Sequence, residues 1–152
     1  RALEIARGTY ILCLDGDDYL HANTVAIIKE HMRDADALLS PCIFQENGKS
    51  TVQDIHINSG IYSIEQLYES CSVFPTAPML VYSNTIVQRN QLRFNTSLKS
   101  GEVYDFTVTF FQHAETVSVI DIGFYYYFMR HSSATQHPNH TAALTGMPRK
   151  WT

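Results

Sequence analysis

Thr9 to Leu14 form a short, mostly apolar run that leads straight into Asp15-Gly16-Asp17-Asp18, and this junction constrains the fold more than any other stretch. Gly8 and Gly16 bracket the run with turn signals. A short continuous apolar run of this kind predicts a strand buried on both faces, as in the middle of a parallel sheet. Ligands of open α/β sheets bind beyond the carboxyl ends of the strands, and Asp15, Asp17 and Asp18 stand at such an end. Three carboxylates this close repel one another unless a cation or a hydrogen-bond network offsets them. Hard oxygen ligands on a turn suit Mg²⁺ or Mn²⁺, which share their shell with water and substrate phosphates. A solvated Asp-Gly turn capping the next helix is the competing account of the same residues.

Composition narrows the remaining classes. A chain of 152 residues is long enough to bury a core as one domain. With 45% hydrophobic and 17% charged residues it reads as globular, not disordered. A net charge of −4 provides no general attraction to nucleic acid or anionic membrane. No apolar run approaches the roughly 20 residues of a membrane span, and no signal peptide is expected. Cys13, Cys42 and Cys71 are widely separated and form no CxxC pair, so they read as reduced core thiols in a reducing compartment. The sequons at Asn95 and Asn139 carry little weight without a sign of secretion.

Arg1–Arg7 is rich in helix formers with apolar residues at 2, 3, 5 and 6, and Gly8 reads as its stop. With no N-cap ahead of it, the chain is expected to begin partway along a helix, as a piece of a longer protein. Ala22–Asp34 predicts an amphipathic helix with Val25, Ile28 and Met32 on one face and a half-buried His31 beside it. Ala37–Phe44 is a strand candidate in which Pro41 implies an edge position or a bulge. Asn47-Gly48 centres a hairpin turn, with Thr51–Ile57 returning. Ser63 and Gln66 form a capping box that opens a short helix.

Further along, Phe74–Tyr82 reads as a loop and then a strand, and Ser83 as the cap of a helix to Asn90. Gly101–Ala114 predicts a strong helix with Phe106, Phe110 and Ala114 stacked. Val117–Ile122 and Phe124–Phe128 are β-rich runs around Gly123. Residues 136–152 form a polar tail. His131, His137 and His140 crowd its beginning, but spacings of six and three on a Pro-containing loop define no metal site. Alternating strands and helices with an acidic strand end point to an α/β mixed sheet flanked by helices.

Three stretches, in order, carry a family resemblance. Ala6-Arg7-Gly8-Thr9-Tyr10-Ile11-Leu12-Cys13-Leu14-Asp15-Gly16-Asp17-Asp18 resembles the A-x-G-x-Y-I-x-F-L-D-x-D-D stretch of family 2 glycosyltransferases with the GT-A fold. Leu92-Arg93-Phe94 followed by Gly101-Glu102-Val103-Tyr104-Asp105-Phe106 is similar to the l-x-F…G-E-D-x-x-F helix start of that family. Ile120-Asp121 and Tyr125-Tyr126-Tyr127-Phe128-Met129-Arg130-His131-Ser132-Ser133 resemble its i-d…Y-Y-Y-x-x-R-x-x-S ending. The resemblance covers residues 1–135 as a partial catalytic domain. It implies a GT-A-like (Rossmann-like) sheet truncated at the N-terminus, without the strands that hold uracil and ribose. A piece cut in this way is expected to expose a sheet edge and to self-associate.

The resemblance implies a metal-dependent and inverting transfer of sugar from a nucleotide-sugar, with a UDP-sugar expected, to a hydroxyl acceptor. Asp17 would be the metal ligand, Asp15 would contact the metal or the ribose side, and Asp18 would be secondary. Mn²⁺ or Mg²⁺ would stabilise the diphosphate leaving group, with Arg130 and His131 neutralising it from the other side. A strand-end arginine in solvent accounts for Arg130 equally well. The acceptor is expected to be a glycan or a lipid-linked glycan in surface polysaccharide assembly. That places the enzyme in the cytoplasm or at the inner membrane face, with peripheral membrane association and no nucleic-acid partner.

The acceptor hydroxyl needs a base, which in this family is usually the Asp of the E-D pair. Here Val103 takes that position. Glu102 remains, in a first helical turn whose dipole favours its anion, and Asp105 lies three residues on. Glu102 is therefore the first candidate base and Asp105 the second. A remnant that binds nucleotide-sugar or a partner without turnover is the alternative. A haloacid-dehalogenase-type phosphatase also starts with D-x-D at a strand end, but it continues with Gly-Thr where this chain has Asp18-Tyr19.

Overall fold

The computed structural model describes residues 1–71 and 75–129. The expectations for Arg130, His131, His137, His140, Asn139 and the 136–152 tail, and the start of the Phe74–Tyr82 reading, lie outside these residues.

The apolar run before the acidic turn forms strand β1 (Tyr10–Leu12), and it does not lie mid-sheet. It pairs antiparallel with β7 (Leu80–Ser83) and stands at one end of a five-stranded sheet. Only Ile11 of β1 is buried, and Leu14 beyond it is exposed. The continuous apolar pattern that predicts burial on both faces is met instead one strand further in. There β3 (Ala37–Leu39) lies between β7, antiparallel, and β8 (Thr116–Val119), parallel, and all three of its residues are fully buried. Strand β6 (Gly60–Ser63) completes the sheet against β8.

A second sheet runs β2 (Tyr19–Leu20), β9 (Tyr125–Phe128), β4 (Cys42–Glu46) and β5 (Lys49–Val52). The stretch expected as one strand across Pro41 is thus two strands in two sheets. Ser40 and Pro41 carry the chain between them: the buried Ser40 gives its N–H to Met79 and its hydroxyl to the Ile122 carbonyl. With no N–H of its own, Pro41 suits a crossover better than a ladder. The Asn47-Gly48 turn joins β4 to β5 with φ of 50° and 75°, the two left-handed positions of a type I′ hairpin. The returning strand is Lys49–Val52, shorter and earlier than Thr51–Ile57.

Helix α1 (Ala2–Ile5) ends at an extended Ala6, well before Gly8. Side-chain amides of α4 (Asn84–Arg89) explain the early stop by taking the carbonyls a longer helix would use. Gln88 donates to Leu3 at 2.6 Å, and Asn84 donates to Gly8 at 2.6 Å and Ala6 at 3.2 Å. Asn84 is committed to this bridge, and Ser83 makes no side-chain cap. Helix α2 (Thr24–His31) buries Thr24, Ile28 and Met32, while Val25 is 64% exposed, so its inner stripe is one residue off the expected one. His31 is half-buried, as its spacing predicts. The Ser63 and Gln66 capping box forms in full at the start of α3 (Ile64–Ser70).

Helix α5 (Glu102–Phe111) packs on the five-stranded sheet through Phe106 and Phe110, whose rings meet Tyr82 edge-on at 5.3 and 5.0 Å. The buried Tyr82 hydroxyl is satisfied by Thr107 Oγ1 at 3.0 Å. Phe94 stacks on Phe106 at 4.5 Å and ties the loop before α5 to the same core. All three cysteines are free, with Cys42 and Cys71 buried and Cys13 half-buried. Among the described residues no helix is long and apolar enough to cross a membrane.

Candidate active site

The acidic turn lies where the chain leaves β1 in the first sheet and enters β2 in the second. Asp18 N–H donates to the Asp15 carbonyl at 3.2 Å, which closes the turn. Beside it opens a cavity of about 960 Å³, whose wall includes Asp15, Glu102, Val103, Arg93 and Tyr125. Three elements thus deliver carboxylates to one space: α1 brings Glu4, the end of β1 brings Asp15 and the first turn of α5 brings Glu102, whose charge acts on Asp15. Asp105 is not on that wall. The fold distinguishes the two candidate bases, then, and it is Glu102 that lines the cavity with Asp15. Val103 lines the same wall as an apolar residue.

The electrostatics fit this crowding. The Asp15 carboxyl is raised above its ordinary value, first by burial and then by the charges of Asp18, Asp17 and Glu102. Asp15 is thus held in a field that a cation would relieve. Burial, with Asp15 behind it, also raises the Cys13 thiol, and burial with Asp18 pushes Cys42 up to about 11. Both thiols next to the turn therefore stay protonated and poorly nucleophilic. Among the described residues no three His, Cys, Asp or Glu side chains gather as a self-contained metal site. A divalent ion on Asp15 and Asp17 would have to complete its shell from water or a bound phosphate, which is how Mg²⁺ is commonly held.

Asp18 differs from its neighbours. Its Oδ2 accepts from the Tyr125 hydroxyl at 2.7 Å and its Oδ1 from the Phe128 N–H at 2.8 Å. Both oxygens are thus occupied by β9. The Tyr125 hydroxyl also accepts from the Asp15 N–H at 3.2 Å, and burial raises its pKa, so it remains a donor to Asp18. Sequence reading treats the Tyr125–Phe128 run only as a family ending and an aromatic strand. It gives no sign that one hydroxyl reaches back 110 residues to the turn. Arg93, which the sequence offers only as part of a motif, lines the cavity with its Nη1 donating to the Leu92 carbonyl at 2.7 Å.

Two mixed sheets with flanking helices, and an acidic turn that shares a cavity with a helix-borne glutamate, give the chain a GT-A-like architecture. No protein-family model matches the chain. The likeness is carried by particular relatives. It is 28% identical over 130 residues to the poly(ribitol-phosphate) beta-N-acetylglucosaminyltransferase TarS of Staphylococcus aureus, covering 83% of this chain and 22% of TarS. It is 27% identical over 135 residues to the poly(ribitol-phosphate) beta-glucosyltransferase of Bacillus spizizenii, covering 85% of this chain and 20% of that enzyme. The crystal structure of S. aureus TarS 1–349 in complex with UDP superposes with a TM-score of 0.66 at 28% identity, over 84% of this chain and 38% of that one. The complex of the same protein with UDP-GlcNAc gives the same TM-score at 27% identity. The chain spans about a fifth of the length of these curated relatives.

Proposed function

We propose that this chain is the acidic-turn part of a transferase that moves a sugar from a UDP-sugar to a hydroxyl of a polyol-phosphate polymer of the poly(ribitol-phosphate) kind. One observation carries the reading: Asp15, at the end of β1, and Glu102, at the start of α5, line one cavity, and the Glu102 charge acts on Asp15. The named substrates of TarS and of the Bacillus enzyme, and the UDP and UDP-GlcNAc bound in TarS crystals, supply the donor and acceptor classes. Both relatives are named for β-linked products. UDP-sugars carry an α linkage, so inversion at the anomeric carbon fits.

Inversion needs one base on the acceptor side and stabilisation of the departing diphosphate on the other. Glu102 takes the acceptor proton as the new glycosidic bond forms. Asp15 and Asp17 are the residues that would hold Mn²⁺ or Mg²⁺. When bound, such an ion supplies Lewis-acid stabilisation of the nucleoside diphosphate. The like-charge crowding at Asp15 supports this assignment, because a cation removes the penalty that burial and three neighbouring carboxylates impose. On this reading the enzyme works in the cytoplasm or at the inner face of the membrane, where it meets its nucleotide-sugar donor.

The test is calorimetric titration of UDP into the full natural protein, with and without Mn²⁺, and into its Asp17→Ala variant. Binding that requires both the metal and Asp17 supports the donor site. No binding of UDP with the metal present overturns it and leaves the acidic turn as the connection between β1 and β2.

A further inference from the structure

We infer that Tyr125 is a positioning residue for the donor site, and that Asp18 is its anchor on the turn, not a ligand. The inference rests on the donor-site reading above. The Tyr125 ring is fully buried in the second sheet, yet its hydroxyl reaches the cavity wall. That hydroxyl acts at both ends of the turn: it accepts from the Asp15 N–H at 3.2 Å and donates to Asp18 Oδ2 at 2.7 Å. A second tie runs from the Phe128 N–H to Asp18 Oδ1 at 2.8 Å, three residues further along the same strand. Charge-assisted bonds to a carboxylate are the strong ones, and a backbone N–H and a hydroxyl here share one acceptor group.

The consequence is geometric. Asp15 and Asp17 are adjacent to residues that are pinned, so their carboxylates start from a backbone fixed in place by β9. Asp15 follows β1 and Glu102 comes from α5, both on the five-stranded sheet, so the placing of the turn relative to Glu102 depends on how β9 of the second sheet holds it. Tyr19 and Tyr126 stack at 4.5 Å across the β2–β9 pair, which fixes the far side of the turn to the same strand. The turn is therefore braced from both ends by one strand of the second sheet. Groups that orient ligands without touching the substrate commonly change metal affinity or activity by about 10–100-fold when lost.

Two readouts on the full natural protein test this. The first is Mn²⁺-dependent UDP affinity by calorimetry for Tyr125→Phe and Asp18→Asn, with Tyr127→Phe on the same strand face as control. The expected result is a loss of about 10–100-fold for the first two and none for the control, with melting temperatures and metal-free UDP binding kept near wild type. The second is amide exchange by NMR without ligand: in Tyr125→Phe the Asp15 amide should exchange faster by about tenfold, the worth of one net hydrogen bond. Unchanged exchange overturns the brace whatever the binding shows. Faster exchange with unchanged Mn²⁺-dependent affinity overturns the positioning role. A wild-type protein that binds no UDP, with exchange still accelerated in the variant, overturns the donor-site reading and leaves the brace standing.

Discussion

Replacing Glu102 by Gln separates the two candidate bases, because Glu102 lines the cavity with Asp15 and Asp105 does not. The amide is nearly isosteric and sits in the first turn of α5, where no side-chain cap depends on it, so the fold is expected to survive. What disappears is one proton acceptor and one negative charge. A positioned general base contributes about 10²–10⁴-fold, so kcat should fall by that factor, or roughly 3–5 kcal/mol of barrier. The charge has a second effect of known sign. Glu102 is one of the carboxylates that raise the Asp15 carboxyl, so its removal lets Asp15 ionise more readily. Mn²⁺-dependent UDP affinity should then hold or improve while turnover collapses. Asp105→Asn, off the cavity wall, should leave kcat far closer to wild type than Glu102→Gln does. The assay is UDP release during transfer to a polyol-phosphate acceptor, with kcat and UDP affinity measured separately on the full natural protein. Turnover retained in Glu102→Gln and lost in Asp105→Asn refutes the assignment. A wild-type protein that binds UDP but turns nothing over identifies a binding remnant in which Val103 has replaced the chemistry.

Two further substitutions test how the turn and the second sheet are built. Asp15→Asn should raise the melting temperature of the ligand-free protein at neutral pH. The Asp15 carboxyl is raised in the fold, so its contribution to stability is greatest below its ordinary range and is lost as pH rises through the raised value. The gain over wild type should therefore vanish as melting is followed down through the acidic range, and a gain independent of pH would contradict the charge argument. Gly123→Ala would put a Cβ 2.7 Å from Ile43 Cγ1 and 3.1 Å from the Pro41 carbonyl oxygen. Overpacking of this kind costs about 1–3 kcal/mol, and at this size each kcal/mol lowers melting by roughly 2–4 °C. An unchanged melting temperature would show that the approach of Gly123 to Pro41 and Ile43 carries no weight.

Local signals in the sequence were read well where a short-range rule decides the structure. The Asn47-Gly48 turn, the Ser63 and Gln66 capping box and the Phe106 and Phe110 stripe all depend on neighbours within a few residues, and all are present. The errors fall where a distant partner decides. Helix α1 stops early because Asn84 and Gln88 take its carbonyls, and Ser83 loses its capping role as Asn84 turns to that task. Apolar continuity in Thr9–Leu14 does not say which strands flank it, and in the structure β3 takes the central place that run was expected to hold. Pro41 signalled an interruption, but only the two sheets show that it is a change of layer. The site follows the same division. Asp15, Asp17, Asp18 and Glu102 can be picked out as residue types in motifs, whereas the roles that separate them come from Tyr125 and the cavity wall.

The two sheets also explain why the turn can carry several acidic residues without collapsing into a tangle of like charges. Both oxygens of Asp18 are taken by donors from β9, at 2.7 and 2.8 Å, and this removes it from competition for a cation. Asp15 keeps the unfavourable field that burial and its neighbours create, and so gains most from a cation. Glu102 stands across the cavity on a helix whose core contacts, Phe106 and Phe110 on Tyr82, belong to the other sheet. Asp15 leaves β1 of that same sheet while Asp18 is held by β9 of the second, so the short Asp15–Asp18 turn joins the two layers. A change in the register of β9 would move the Asp18 end of the turn without moving Glu102. The bond from Tyr125 to Asp18 is the place where that coupling can be cut by removing a single oxygen atom.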